Sequence, residues 1–261
     1  MKFLLSRLSL LSVLALPALL LLALPFATLF GITPWRHFSL AYGDSSAVMV
    51  SIGYGLLALL LIVVIGLPLA WWLASSSRKG SLKRIAEILV LLPLMTPPLA
   101  MGILLISALG PYSLPGRWLS AVGVTLVNNP LAFILAQIYG GLPYFIVTAR
   151  SAFSAVPAAI LEAGRTLGAG PVQRFLRLVL PLSSSGLASA VALAWVRAVG
   201  EFGIVMIFAY FPQGMPVKLY TNLQNDGVDA VYTLVWILLL VTLPVPLLCF
   251  MQTAKQERMT L

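Results

Sequence analysis

Two charged residues stand where charge is costly. Arg197 and Glu201 lie in WVRAVGEFGIVMIF, an otherwise apolar stretch. A charge at the centre of a bilayer costs on the order of 2.5–3.5 kcal/mol on insertion scales. The i, i+4 spacing puts both on one helix face, so they can pair. Such a pair contributes only about 0.2–0.5 kcal/mol in an isolated helix, too little to offset insertion. Both must therefore face protein or water rather than lipid. Two roles fit: a tie between helices or subunits, and a lining or gate of a path through the membrane. Other chemistry is scarce. A single histidine, His37, leaves no histidine cluster, and a single cysteine, Cys249, excludes an internal disulfide and a thiolate metal site. Glu87, Glu162, Glu201 and Glu257 are scattered, and no Ser/His/Asp set stands out. No Gly-x-x-x-x-Gly-Lys-Ser/Thr is present, so the chain has no P-loop of its own. A membrane enzyme is the least supported reading. The chain is expected to carry no cofactor, and ATP, if it drives the protein, is expected on another polypeptide.

The setting of these residues is a membrane. The chain is 61% hydrophobic and only 9% charged, with a net charge of +9. Soluble domains carry about 25% charged residues. In a soluble protein the positive charge would suggest nucleic acid; here the placement of Lys and Arg in loops explains it. About 20 apolar residues cross the hydrocarbon. Six such runs are expected, from about Leu8 to Phe30, Val48 to Ala74, Ile88 to Leu109, Val122 to Thr148, Leu187 to Phe211 and Val231 to Met251. The first run is too long for a signal-peptide core and reads as a retained helix, kinked near Pro17 and Pro25. One side of this arrangement holds twelve positives: Lys2, Arg7, Arg78, Lys79, Lys83, Arg84, Arg150, Arg165, Arg174, Arg177, Lys255 and Arg258. The other holds three, Arg36, Arg117 and Lys218. The bias predicts cytoplasmic termini. With the apolar runs, that orientation gives residues 1–45 as an anchoring helix and external loop, 46–251 as the main membrane domain, and 252–261 as a cytoplasmic tail. The fourth span contains Asn128, Asn129 and Gln137. Buried amides in membranes commonly bond across helices, and the alternative for Asn128 and Asn129 is the mouth of a cavity. Trp35, Trp71, Trp72, Trp118 and Tyr112 fit an aromatic belt.

The weakly hydrophobic stretch EAGRTLGAGPVQRFLRLVLP, Glu162 to Pro181, is no span. Pro157 suits a helix start. Ile160, Ala163, Gly164 and Leu167 then fall at helical spacing, with Glu162 and Arg165 on another face. Gly168, Ala169 and Gly170 end that helix. Gly168 is expected in a left-handed conformation. Pro171 begins a second helix carrying Arg174 and Arg177 beside Phe175, Leu178 and Val179. Two short amphipathic helices on a glycine elbow fit either a docking surface or simply a cytoplasmic loop with two surface helices.

The spacing within this loop resembles the EAA loop of ABC importer permeases: Glu-Ala-Ala, three residues, Gly, nine residues, Ile, one residue, Leu-Pro. Glu162, Ala163, Gly168, Leu180 and Pro181 match it. Gly164 stands for the second Ala and Leu178 for the Ile. Gly164 should loosen the helix by roughly 1 kcal/mol relative to Ala. The resemblance implies an all-α, MetI-like type I permease fold, with the loop at 150–181 as the coupling helix that docks on an ATP-binding subunit. Glu162, Ala163, Gly164, Arg165, Leu167, Gly168, Leu178, Leu180 and Pro181 would make that contact. It also implies a homodimer, an extracytoplasmic substrate-binding protein, a cytoplasmic-membrane location, and ATP and Mg bound by the partner.

A second resemblance narrows the substrate. Arg197-Ala198-Val199-Gly200-Glu201-Phe202-Gly203 is similar to the Arg-Ala-x-Gly-Glu-Phe-Gly segment of importers of molybdate, tungstate and sulfate. LPLMTPPLAMGILLISALG, GPYSLPGRWL and PLAFILAQIYGGLPYFIVTARSAF look like other segments of molybdate permeases. The resemblance runs from about Ser46 to Phe250. It implies that Arg197 and Glu201, with Asn128 and Asn129, line or gate an oxyanion path. The alternative from another class is an ion-gradient transporter or channel. Such proteins often show inverted repeats, and none is convincing here.

Overall fold

A computed structural model describes residues 10–75 and 80–259, and side chains within 14–75 and 80–251. Lys2, Arg7, Arg78, Lys79 and the side chains of the expected tail therefore lie outside the described part. All regular elements among the described residues are helical. They are α1 (Leu10–Ile32), α2 (Asp44–Ala74), α3 (Ser81–Met95), α4 (Pro98–Leu109), α5 (Leu114–Ala121), α6 (Pro130–Ser154), α7 (Ala158–Thr166), α8 (Pro171–Leu182), α9 (Ser184–Val199), α10 (Gly203–Phe208), α11 (Met215–Asp226), α12 (Tyr232–Thr242) and α13 (Pro244–Met259).

Four helical stretches are each long and apolar enough to cross a bilayer: Leu14–Ile32, Asp44–Ala74, Pro130–Ser154 and Val228–Met251. The expected third span is not continuous. α3 and α4 meet at 117° across Thr96 and Pro97. The cause is local: both residues precede a proline, whose ring disfavours the helical region for its predecessor. Thr96 accordingly has ψ 126° and Pro97 ψ 138°. The expected fifth span is also interrupted. α9 ends at Val199, and the chain resumes a helix only at Gly203. The fourth begins at Pro130 rather than near Val122, so Asn128 and Asn129 precede it.

α6 is the central span, with 56% of its apolar window buried against 22% for α2 and none for α1. Ile62 of α2, Phe145 and Ala149 of α6, and Ala190, Ala194 and Ala198 of α9 share one core. Small residues let these helices approach closely, the usual mode of packing between spans. A second core joins Met101 and Leu105 of α4, Ala132 and Phe133 of α6, and Val205 and Phe208 of α10. Gln137 of α6 is 1% exposed, and its Oε1 has no hydrogen-bond partner among the described residues.

The ends of the bundle are fastened differently. At one end Arg150 pairs with Glu87 at 2.8 Å, and Lys83 Nζ donates to the Ser75 carbonyl at 2.5 Å. At the other, the supposed loop before the last span forms α11. Asn222 Nδ2 donates to buried Asp44 Oδ1 at 2.9 Å, and the Met215 N–H donates to Ser51 Oγ at 2.8 Å. α1 is held there by Trp236 Nε1 donating to Thr33 Oγ1 at 2.9 Å and by Trp35 packing on Trp236.

Candidate functional site

The loop after α6 folds as two helices joined by an elbow. Gly168 has φ +78°. The Gly168 N–H donates to the Arg165 carbonyl and the Ala169 N–H to the Gly164 carbonyl, both at 3.0 Å. These two reversed bonds form a Schellman motif, which satisfies the last carbonyls of α7 and favours Gly at the left-handed position. α8 contains a π-helical stretch at Phe175–Val179.

The faces of α7 differ from expectation. Gly164 is buried and Leu161 packs toward the core. Ile160, Ala163 and Leu167 point outward beside Glu162 and Arg165. The reason is that α7 packs on α8 through its smallest residue. A Cβ at position 164 would lie 2.7 Å from Leu178 Cδ1 and 3.5 Å from Arg174 Cγ. Leu178 and Leu180 are half-buried, Pro181 is exposed, and Val179 between them is fully buried. Glu162 is exposed and makes no ion pair among the described residues.

The second cluster lies at the two breaks. Arg197 Nη2 donates to Glu201 Oε2 at 2.9 Å. The pair does not sit on one continuous helix face. Arg197 is in the last turn of α9, and Glu201 follows its end. There Glu201 Oε1 also accepts the Ile204 N–H of α10 at 3.0 Å. The Arg197 guanidinium stands 5.1 Å over the Tyr144 ring of α6, a cation–π arrangement. Glu201 rests against Gly140 of the same helix. Arg197 lines two small cavities, of about 70 and about 310 Å³, beside the Thr96–Pro98 break. Both charges thus face protein and cavity, as the insertion cost requires.

Asn128 and Asn129 are not brought to that pair. Asn129 caps α6, its Oδ1 accepting the Ala132 N–H at 2.8 Å while its Nδ2 donates to the Thr125 carbonyl. Asn128, at φ 51°, donates its N–H to the Phe208 carbonyl at 3.2 Å. Glu201 meets α6 at Gly140, about 15 Å further along the helix at 1.5 Å per residue. Sequence reasoning missed Tyr144 and Gly140 as neighbours of the ion pair. Their signal was YGGLPY, where small and aromatic residues sit together in a span.

Residues 66–255 match the family described as binding-protein-dependent transport system inner membrane component. The chain belongs to that family. The matched region of this inner membrane component includes both the helix pair and the Arg197–Glu201 pair, and leaves α1 outside. A probable molybdenum ABC transporter permease protein of Haloferax volcanii is 36% identical over 70% of this chain and 65% of its own length. The molybdenum transport system permease protein ModB of Mycobacterium tuberculosis is 34% identical over 83% of the chain and 84% of its own. A molybdate/tungstate transport system permease protein of Methanocaldococcus jannaschii is 26% identical over 67% and 68%. This chain thus spans just under two thirds of the Haloferax protein. Solved structures share its fold. The bacterial alginate ABC transporter in complex with a pentasaccharide-bound periplasmic protein aligns with TM-score 0.73 at 17% identity, over 94% of this chain and 93% of the other. The inward-facing MetNI methionine ABC transporter aligns with TM-score 0.66 at 19% identity, over 81% and 94%. The inner membrane component therefore has the MetI-like, all-α, multi-pass architecture.

Proposed function

We propose that this inner membrane component forms the translocation path of an ATP-driven importer for a small oxyanion of the molybdate, tungstate and sulfate group. ATP is hydrolysed on a separate subunit with its Mg, and this chain has no catalytic role. The observation that carries the reading is the elbowed helix pair α7–α8. It presents Ile160, Ala163 and Leu167 outward around Glu162 and Arg165, in a chain whose core does not need them. An apolar stripe rimmed by charge is the composition of a protein interface. The occupant is the ATP-binding subunit, on the cytoplasmic side. Two copies of this chain and an extracytoplasmic binding protein complete the assembly. The named relatives support the oxyanion. Movement of the docked subunits would swing each helix pair as a rigid body and switch the path between two states.

Reconstitution tests this. The chain, the ATP-binding subunit and the binding protein are placed in vesicles, and labelled molybdate uptake is followed with tungstate and sulfate as competitors. ATP-dependent uptake requiring all three proteins is expected. Uptake driven by an ion gradient without ATP would favour the transporter class whose broken helices line central sites, and would overturn the proposal.

A further inference from the structure

The Arg197–Glu201 pair is neutral in sum but one-sided in placement. The Glu201 side chain is 1% exposed and that of Arg197 32%. Both carboxylate oxygens are engaged, one by Arg197 and one by the Ile204 N–H. The guanidinium is not saturated. Of its five N–H donors, one points to Glu201, and the Nε–H is buried with no partner. Arg197 lines both cavities at the helix breaks. Pro98, which has no N–H, borders both, and Pro97 and Phe202 border the larger. Glu201 also borders both cavities, but its carboxylate is almost inaccessible and both its oxygens are engaged, so the accessible polar group there is chiefly the guanidinium.

We infer that Arg197 is the group that meets the transported anion inside the membrane, and that Glu201, seated against Gly140, is the positioning residue that aims it. This rests on the oxyanion reading above. A tetrahedral oxyanion offers only acceptors, which a planar guanidinium fork takes in pairs. A cation would meet a carboxylate that is 1% exposed and has both oxygens already engaged. The recessed carboxylate also keeps the attraction weak, and a path needs a site that the ion can leave as well as enter. Gly140 sets the geometry. A Cβ there would lie 2.9 Å from Glu201 Oε2, the oxygen that holds Arg197, and 3.2 Å from its Cγ. No side chain larger than hydrogen leaves the carboxylate, and hence the guanidinium, where it is.

The test uses the complete assembly in vesicles, with labelled molybdate uptake and ATP hydrolysis read together. Arg197→Lys keeps the charge and removes the fork; Gly140→Ala removes no charge and no donor. Each is expected to lower uptake at saturating loaded binding protein about tenfold, equivalent to ~1.4 kcal/mol. The concentration of binding protein giving half-maximal uptake should stay the same, and more ATP should be spent per molybdate. Loss of packing alone would lower the yield of assembled complex without changing that ratio. If Arg197→Lys fails to assemble, Gly140→Ala carries the test. Wild-type uptake per ATP in both assembled variants overturns the subsite and leaves the oxyanion reading standing. A wild-type complex that hydrolyses ATP and imports no oxyanion overturns that reading instead.

Discussion

Leu178 reaches over Gly164 so closely that a Cβ at position 164 would stand 2.7 Å from its Cδ1. These are the two positions at which the loop departs from the EAA pattern, and they touch each other. The departures thus act together: the glycine gives the leucine its seat. Gly164→Val should force α7 and α8 apart and weaken retention of the ATP-binding subunit. Adding Leu178→Ala should recover part of the loss. Contacting residues typically couple by about 0.5–3 kcal/mol. A double-mutant cycle on the affinity of the two subunits measures the coupling. Strictly additive effects would mean that the contact does not hold the pair of helices together.

The elbow itself is the second target. Gly168 has φ +78° with open space where a side chain would begin. Strain rather than crowding is therefore the penalty, on the order of 1–2 kcal/mol for an ordinary residue and more for a β-branched one. Gly168→Val should abolish coupling between ATP hydrolysis and uptake while the chain still inserts. Glu162→Ala should weaken it. Losing one member of a desolvated charge pair at an interface costs about 2–5 kcal/mol. Substrate-stimulated hydrolysis and co-purification in reconstituted vesicles report both. Normal coupling in Gly168→Val would remove the loop from the transmission.

The two charges at the helix breaks should not be equivalent. Glu201→Leu strands the Arg197 guanidinium and also frees the Ile204 N–H. Breaking a fully buried pair from one side costs about 3–5 kcal/mol; the 32% exposure of the Arg197 side chain makes the cost here smaller. The double change Arg197→Leu with Glu201→Leu leaves no uncompensated charge, so it should retain more assembled complex than Glu201→Leu alone. Thermal survival of the purified complex ranks the unaltered protein, Glu201→Leu and the double variant. Equal survival in all of them would show that the pair ties nothing.

Orientation has a direct test. In a Cys249→Ser background, Gly168→Cys should resist an impermeant thiol reagent applied to intact cells and react in inside-out vesicles. Labelling from outside would reverse the topology and detach the helix pair from any cytoplasmic partner.

The cap of α6 offers a stability measurement. Asn129 supplies the side-chain oxygen for the Ala132 N–H. Asn129→Ala should cost about 1 kcal/mol, seen as a lower melting temperature of the complex. Rates of uptake per assembled complex should hold, because the cap lies far along α6 from Gly140. A selective loss of uptake at full stability would place Asn129 on the path as well.

Much of this protein was legible in one dimension because its strongest signals are local. Twenty apolar residues make a span whatever surrounds them. A proline starts α8 and a glycine ends α7, because backbone geometry is decided within a few residues. The cost of charge in lipid picked out Arg197 and Glu201 before any contact was known. The double pre-proline step at Thr96-Pro97 was also written in the chain, although apolarity alone hid the break it makes. What lay beyond the sequence were relationships between distant segments. Periodicity grouped Gly164 with Ile160 and Leu167, but the buried face of α7 was decided by where α8 came to rest. Composition placed Asn129 inside a span; its hydrogen bonds made it a cap. Spacing paired Arg197 with Glu201 on one helix. Only the packing of α9 and α10 against α6 recessed the carboxylate against Gly140 and left the guanidinium facing the cavities. Such sidedness depends on which atoms other elements bring near, and no local pattern carries it.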